Sequence, residues 1–148
     1  MRMKKLVLFA AFCLLVLAGC KQAPVNPVAG AWNLIYAKTV SNDTVIDSYP
    51  EMHQGSQVKM WCNNYWMFIG VNKNDTTVID KFGGGSYTLD GVVYKETITY
   101  HYTKSYVGQT LGMRIVVEND TLMQVWPADD QGNLDKSNYF SEKYVRIK

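Results

Sequence analysis

The chain has 148 residues and a formal net charge of +2 at pH 7. This length suits one domain with a substantial hydrophobic core. The sequence contains no basic patch and no charge run, which argues against a nucleic-acid partner.

Residues 1–19 have the pattern of a secretory signal peptide. Three basic residues precede an apolar segment at residues 6–17, which is too short for a comfortable transmembrane span. The segment ends in Leu17-Ala18-Gly19-Cys20, which resembles the lipobox of bacterial lipoproteins. The resemblance implies cleavage before Cys20 and attachment of several acyl chains to that residue, which suffice for stable membrane anchoring. An ordinary signal peptide followed by an accidental cysteine is the alternative.

Residues 20–29 are predicted to form a lipidated tether, because they contain two prolines and no periodicity. The residue after Cys20 is Lys21, whereas Asp at this position favours inner-membrane retention in some Gram-negative lipoproteins. We therefore expect an outer-membrane location, with the leaflet left open. The signal takes three of the 15 basic residues with it, so 12 basic residues remain against 13 acidic ones.

The cysteines and histidines indicate neither a disulfide nor a metal site. Cys13 leaves with the signal and Cys20 is lipidated, so Cys62 has no intrachain partner. Cys62 follows Trp61 in an apolar run, and we expect a small buried hydrophobe rather than a nucleophile. No pair of Cys or His has metal-ligand spacing, and the polar loop at residues 127–136 lacks the Asp-x-Asp-x-Asp-Gly spacing of a calcium loop. We expect no metal and no cofactor.

The first half of the domain reads as short strands. Trp32, Leu34 and Tyr36 are predicted to share one face of the first strand. In residues 40–55, Asn42-Asp43 could turn a short hairpin, while a loop or helical turn over a barrel mouth is equally compatible with the sequence. Asn63-Asn64 is a plausible turn within the apolar segment 57–71. The three glycines at residues 83–85 lie where a strand must bend or bulge.

A long hairpin is predicted around Asp90-Gly91, a two-residue loop that favours a type I′ turn. This turn places Leu89 opposite Val92 and assigns every second residue to one face. The predicted inner face is aromatic and apolar with one carboxylate: Tyr87, Leu89, Val92, Tyr94, Glu96, Ile98, Tyr100 and Tyr102. His101 falls on the opposite, polar face. Glu96 is predicted across from the open space at Gly85, where tyrosine hydroxyls, a cation such as Arg146, or a ligand could satisfy it.

A second hairpin is predicted around Asn119-Asp120, which places Ile115 opposite Gln124. Its inner face is apolar apart from one amide: Leu111, Met113, Ile115, Val117, Leu122, Gln124 and Trp126. Residues 139–148 are predicted to form the last strand.

The whole pattern predicts an all-β domain of about 8–10 short strands at residues 30–148, with hairpins between neighbours. An up-and-down antiparallel barrel fits this order, because closure removes exposed edges. Gly30-x-Trp32 is similar to the Gly-x-Trp motif of lipocalins, and the segments GGGSYTLDGVVYKETI and VENDTLMQVWP look like those of lipocalin-like bacterial lipoproteins of unknown function. The resemblance implies a lipocalin-like barrel whose base is held by Arg146 packed across Trp32.

Two functions from different classes follow. An eight-stranded barrel can hold one small hydrophobic or amphipathic ligand. The candidate lining is Tyr87, Tyr94, Glu96, Ile98, Tyr100, Tyr102, Met113, Gln124 and Trp126. The alternative is an envelope interaction module with a filled barrel and no small-molecule ligand, which an exposed aromatic cluster around Tyr49 or Trp61 would favour. With only His53 and His101 and no evident catalytic set, we do not expect an enzyme.

Overall fold

The computed structural model describes residues 26–52, 54–72 and 75–148. Within them the chain is all-β, with nine strands and a short 3-10 helix at Lys104–Tyr106. The strands are β1 (Gly30–Ser41), β2 (Thr44–Tyr49), β3 (Ser56–Cys62), β4 (Tyr65–Asn72), β5 (Asp75–Asp90), β6 (Val93–His101), β7 (Thr110–Glu118), β8 (Thr121–Trp126) and β9 (Tyr139–Arg146). The predicted signal peptide, Cys20 and His53 lie outside the described residues. The described part of the chain has no helix with the length and apolar character needed to cross a bilayer.

Eight of these strands close into an antiparallel barrel. From β3 to β9 each strand pairs with the next, and β9 pairs back onto β1 from Trp32↔Arg146 to Val40↔Tyr139. The first residues of β1 pair with β3, and its second half pairs with β2, which lies outside the closed barrel. The prediction of an up-and-down antiparallel barrel of 8–10 strands is confirmed.

Three of the predicted turns form where the local sequence places them. Asn42 and Asp43 both have positive φ, 49° and 61°, as a type I′ turn requires, so residues 40–55 contain a strand rather than only a loop. Cys62 pairs with Tyr65 around Asn63-Asn64. The pair Glu118↔Thr121 encloses the third turn, and Ile115 lies opposite Gln124 as expected.

The turn of the central hairpin lies one residue later than predicted. Asp90 pairs with Val93, so the loop is Gly91-Val92, and Gly91 with φ 58° takes the first loop position, where a type II′ turn needs glycine. Each β5 residue therefore faces a residue two positions further along β6, and Glu96 lies opposite Tyr87 rather than Gly85. Because side chains alternate with a period of two, this shift leaves both faces unchanged.

A bulge at the glycine triplet overturns the prediction for Tyr100. Gly85 pairs with Ile98 but Gly84 pairs with Tyr100, which leaves Thr99 as the extra residue in β6. The extra residue reverses the alternation, so Tyr100 points outward with 68% of its surface exposed and His101 turns toward the barrel mouth. The prediction that His101 lies on the outer face is therefore wrong as well.

Two further predictions fail because the side chains concerned point to the opposite face of their strand. The register of β1 shifts between Leu34 and Tyr36, so Trp32 and Leu34 point into the barrel but Ala37, rather than Tyr36, packs against the core. Cys62 is exposed rather than buried, because it follows the inward-pointing Trp61 at the end of β3 and adjacent side chains in a strand point to opposite faces.

The barrel base is closed by the packing that the sequence resemblance implies. The guanidinium carbon of Arg146 lies 4.0 Å from the centroid of the Trp32 ring, and Trp32 is fully buried. The indole Nε1 of Trp32 donates to the carbonyl of Val28 at 2.8 Å, and Nη1 of Arg146 donates to the carbonyl of Ala29 at 2.6 Å. Residues 26–29, which the sequence assigns to the tether, thus lie against the base.

Candidate functional site

A cavity of about 310 Å³ lies in the half of the barrel away from Trp32 and Arg146. Its walls are apolar and aromatic: Trp66, Phe68, Ile98, Leu111, Met113, Trp126 and Phe140. The polar side chains of Gln57, Lys59, Glu96, Gln124 and Glu142 line the same space. The cavity therefore combines apolar walls with one concentrated group of charged and amide side chains.

A buried ion pair lies at the centre of this polar group. Nζ of Lys59 on β3 lies 2.5 Å from Oε1 of Glu96 on β6, and both side chains are 4% exposed. The ammonium is also 4.8 Å from the ring centroid of Trp66 and 5.1 Å from that of Trp61, at cation–π distance. Glu96 thus points into the barrel, and its cation is Lys59 rather than Arg146.

The polar group continues across the barrel through Gln124. The Lys59 ammonium donates to Oε1 of Gln124 at 3.2 Å, and Nε2 of Gln124 donates to Oε2 of Glu142 at 2.6 Å. The Tyr144 hydroxyl donates to the same carboxylate oxygen at 2.6 Å, and Nε2 of Gln57 donates to the Tyr144 hydroxyl at 2.6 Å. Together with Glu96 on β6, this network of polar contacts joins four strands, β3, β6, β8 and β9.

Buried tyrosines act as donors to both carboxylates. Burial raises the pKa of Tyr94 and of Tyr144, so both hydroxyls stay protonated. The Tyr94 hydroxyl donates to Oε1 of Glu96 at 2.8 Å and accepts a hydrogen bond from Nε1 of Trp61 at 2.7 Å. Among the described residues every buried side-chain nitrogen and oxygen has a partner, so burial of these groups is compensated.

Glu96 should titrate above its usual range. Burial raises the pKa of its carboxyl above the ordinary value of 4.5, against the opposing effects of the Lys59 ammonium and the Tyr94 hydroxyl. A carbon-detected NMR titration of the side-chain carboxyls should give Glu96 a midpoint above 4.5, and the Glu96→Gln variant identifies the signal. A midpoint at or below 4.5 would contradict this.

The sign of the raised pKa sets the effect on stability. The folded protein holds the proton of Glu96 more tightly than the unfolded chain does. This contribution to the free energy of unfolding is therefore fully present below pH 4.5 and is lost as the pH rises through the folded-state pKa.

The mouth of the cavity carries an aromatic cluster with a neutral histidine. The ring centroids of His101 and Tyr102 are 4.5 Å apart, and the Tyr106 ring in the 3-10 helix lies 4.9 Å from His101. Burial lowers the pKa of His101, and the backbone N–H of Thr103 donates to its Nδ1 at 2.9 Å. The imidazole is therefore neutral at pH 7.

The structure brings together most, but not all, of the candidate lining. Six of the nine residues line the cavity: Glu96, Ile98, Tyr102, Met113, Gln124 and Trp126. Tyr87 and Tyr94 are buried in the core cluster. Tyr100 lies on the outer wall and cannot contribute.

The sequence did not indicate the cation that pairs with Glu96, nor three other residues of the site. Gln57, Lys59 and Trp66 lie in the apolar segment 57–71, where apolar residues on both faces hide which face points inward, and Glu142 lies in the last strand. Lys59 shares a strand face with Trp61, so assigning Trp61 to the core would have placed the ammonium inside too. A single lysine among buried aromatic residues was the available signal.

The arrangement is suited to binding. In the part of the chain that the structure describes, no three His, Cys, Asp or Glu side chains could hold a metal ion. The Asp129 carboxylate in the polar loop instead accepts hydrogen bonds from the backbone N–H groups of Gln131 and Asn133.

No protein-family model matches this sequence, and a search of curated proteins gave no match.

Proposed function

We propose that this protein is a membrane-anchored lipoprotein of the bacterial envelope whose barrel binds one small amphipathic ligand without catalysis. The observation that carries the proposal is the cavity of about 310 Å³ with aromatic walls and a few convergent polar groups. That composition is the one expected of small-molecule sites, and the volume lies at the lower end of their range.

Native mass spectrometry tests the pocket. The mature chain with Cys20→Ala, purified from its own host, should carry a small molecule that is released on denaturation. A Leu111→Trp variant should lose this molecule, because Leu111 lines the cavity and the larger side chain would fill it. Preparations that consistently have the mass of the chain alone would favour a filled barrel.

The anchor is a separate part of the proposal. Cys20→Ala, expressed with residues 1–19 replaced by a signal peptide that is cleaved without lipidation, should release a soluble periplasmic protein, because the acyl chains on Cys20 are then the only strong membrane attachment that the sequence indicates. Membrane fractionation after a salt wash measures this. Cys62→Ala is the matched control: it removes an exposed cysteine of the barrel, keeps the lipobox, and should stay with the membrane. A Cys20→Ala protein that still pelleted with membranes would disprove the lipobox interpretation.

A second candidate function is an envelope interaction module. Trp61 is 2% exposed and Tyr49 is half-buried, so neither forms the exposed cluster that would mark such a surface near them. The outer wall of β4, β5 and β6 instead carries adjacent exposed apolar side chains: Tyr65, Met67, Ile69, Phe82 and Tyr100. Contiguous exposed apolar surface is typical of interaction sites.

Cross-linking in envelope membranes separates the two candidates. If the wall is the functional surface, Met67→Ser and Tyr100→Ser should abolish a cross-link that Leu111→Trp leaves intact. If the cavity is the functional site, the wall variants should keep the co-purifying molecule.

A further inference from the structure

We propose that the cavity selects ligands with a positively charged head group, a protonated amine or a quaternary ammonium, through the carboxylate of Glu142. This inference rests on the proposed binding function and deepens it by naming the chemical class of the ligand. It follows from the charges inside the barrel, from one carboxylate oxygen, and from the aromatic pair beside it.

The polar group of the cavity, which consists of Gln57, Lys59, Glu96, Gln124 and Glu142, has one negative charge more than it has positive charges. Its two carboxylates belong to Glu96 and Glu142. Its one ammonium belongs to Lys59, which is paired with Glu96 at 2.5 Å. The hydrogen bonds to Glu142 come from Gln57, Gln124 and Tyr144, which are all neutral donors. No Lys or Arg among the described residues forms an ion pair with Glu142. Its charge is therefore stabilised by dipoles but not neutralised.

One oxygen of the Glu142 carboxylate has spare accepting capacity. Oε2 accepts two hydrogen bonds of 2.6 Å, from Gln124 and from Tyr144. Oε1 has only a 3.4 Å contact with Nε2 of Gln57. An ionised carboxylate oxygen accommodates about two hydrogen bonds, so Oε1 can accept a further one from a ligand N–H. A charge-assisted bond of this kind is stronger than one between neutral groups.

An aromatic pair lies next to this oxygen on the side of the mouth. Gln124 pairs with Glu142 across β8 and β9, and the next inward pair of the same ladder is Trp126 with Phe140. The Trp126 and Phe140 rings are stacked with centroids 5.4 Å apart. Ammonium groups are attracted to aromatic faces, and quaternary ammonium ligands are recognised in this way. A cation that enters from the mouth toward Oε1 of Glu142 would therefore be attracted both by these aromatic rings and by the carboxylate.

The remaining charged groups of the cavity lie at its rim. These are Lys38, Lys81 and the exposed Asp47, while His101 is neutral. Nζ of Lys38 lies 5.1 Å from the ring centroid of Tyr139, facing that ring. Water and salt screen charges at such positions far more than charges in the lumen. The half-buried carboxylate of Glu142, which accepts hydrogen bonds from the buried Gln124 and Tyr144, should set the preference for the head group rather than Lys38 and Lys81.

A series of octyl compounds with different head groups tests the proposal. Isothermal titration of the full mature chain with Cys20→Ala at pH 7.5 would compare octylammonium, octyltrimethylammonium, 1-octanol and octanoate. Both cations should bind on the order of tenfold or more tightly than octanol, with octanoate weakest. Glu142→Gln should reduce the preference for cations over octanol to about twofold or less. Glu118→Gln, which removes the same charge from an exposed position, should keep the full preference.

Each outcome decides a different point. Equal binding of octanol and octylammonium, tightest binding of octanoate, or an unchanged preference in Glu142→Gln would overturn the inference and leave the pocket standing. Failure of all four compounds to bind would instead overturn the proposed binding function, and the inference with it. If Glu142→Gln does not fold, the series on the protein with intact Glu142 still decides the preference for cations.

Discussion

We expect Lys59→Met to lower the free energy of unfolding by about 3–5 kcal/mol at pH 7.5, because it leaves the buried Glu96 carboxylate without its cation. Glu96→Gln should cost a similar amount by leaving the Lys59 ammonium unpaired. If Glu96 had no cation, Gln would keep its shape, spare the fold and weaken only ligand binding, by about 1–3 kcal/mol; the ion pair with Lys59 adds the cost in stability. Urea unfolding followed by circular dichroism measures both effects.

The double variant shows whether the losses of stability at Lys59 and Glu96 come from one shared interaction. Lys59→Met combined with Glu96→Gln removes both buried charges, so it should cost much less than the two single changes added together. Lys95→Met is the matched control. Lys95 precedes Glu96, points to the opposite face, and lies 2.6 Å from the exposed Asp130. Because that pair is solvated, its loss should change stability by no more than about 1 kcal/mol. Additive costs in the double variant would show that Lys59 and Glu96 do not act as a pair.

The cost of Lys59→Met should also depend on pH. Without the ammonium, the main influence that opposes the raised pKa of Glu96 is gone. The carboxyl then takes up a proton at a higher pH in the folded protein, and a neutral carboxyl is cheaper to bury than a charged one. The destabilisation relative to the unmodified protein should therefore be smaller at pH 5 than at pH 7.5.

The second large effect is expected at the barrel base. Trp32→Ala should lower the free energy of unfolding by about 3–5 kcal/mol, the usual cost of truncating a buried large aromatic side chain. It removes the ring that packs against Arg146 and the indole donor to the Val28 carbonyl, so residues 26–29 should also lose their attachment to the base.

Two comparisons make the Trp32 result specific. Trp32→Phe keeps much of the ring and should cost less, because it loses mainly the hydrogen bond to Val28. Tyr65→Ala truncates an aromatic residue that is 67% exposed and should have little effect. A urea midpoint unaffected by Trp32→Ala would place Trp32 outside the cooperative core.

Local sequence determined the strands, most turns and the two faces of each hairpin. Asn42-Asp43, Asn63-Asn64 and Asn119-Asp120 turn where residues that tolerate positive φ stand between alternating strands. Even the one-residue error at Asp90-Gly91 kept Glu96 on the inner face, because the hairpin partners moved by two positions. The lumen positions of Met113 and Gln124 followed from the same alternation.

Tertiary structure decided the features that the alternation of side chains along a strand does not predict: the irregularities of register and the contacts across the barrel. The extra residue at Thr99 and the register shift near Ile35 reverse the side-chain direction, and such irregularities depend on how a sheet curves to close. Closure also brings Lys59, Glu96 and Glu142 together from strands far apart in sequence. The number of residues between two side chains does not reveal whether they meet across the barrel. The sequence could therefore show that a carboxylate is buried, but the cation that pairs with Glu96, and the carboxylate left without one, depend on which strands the closed sheet sets opposite each other.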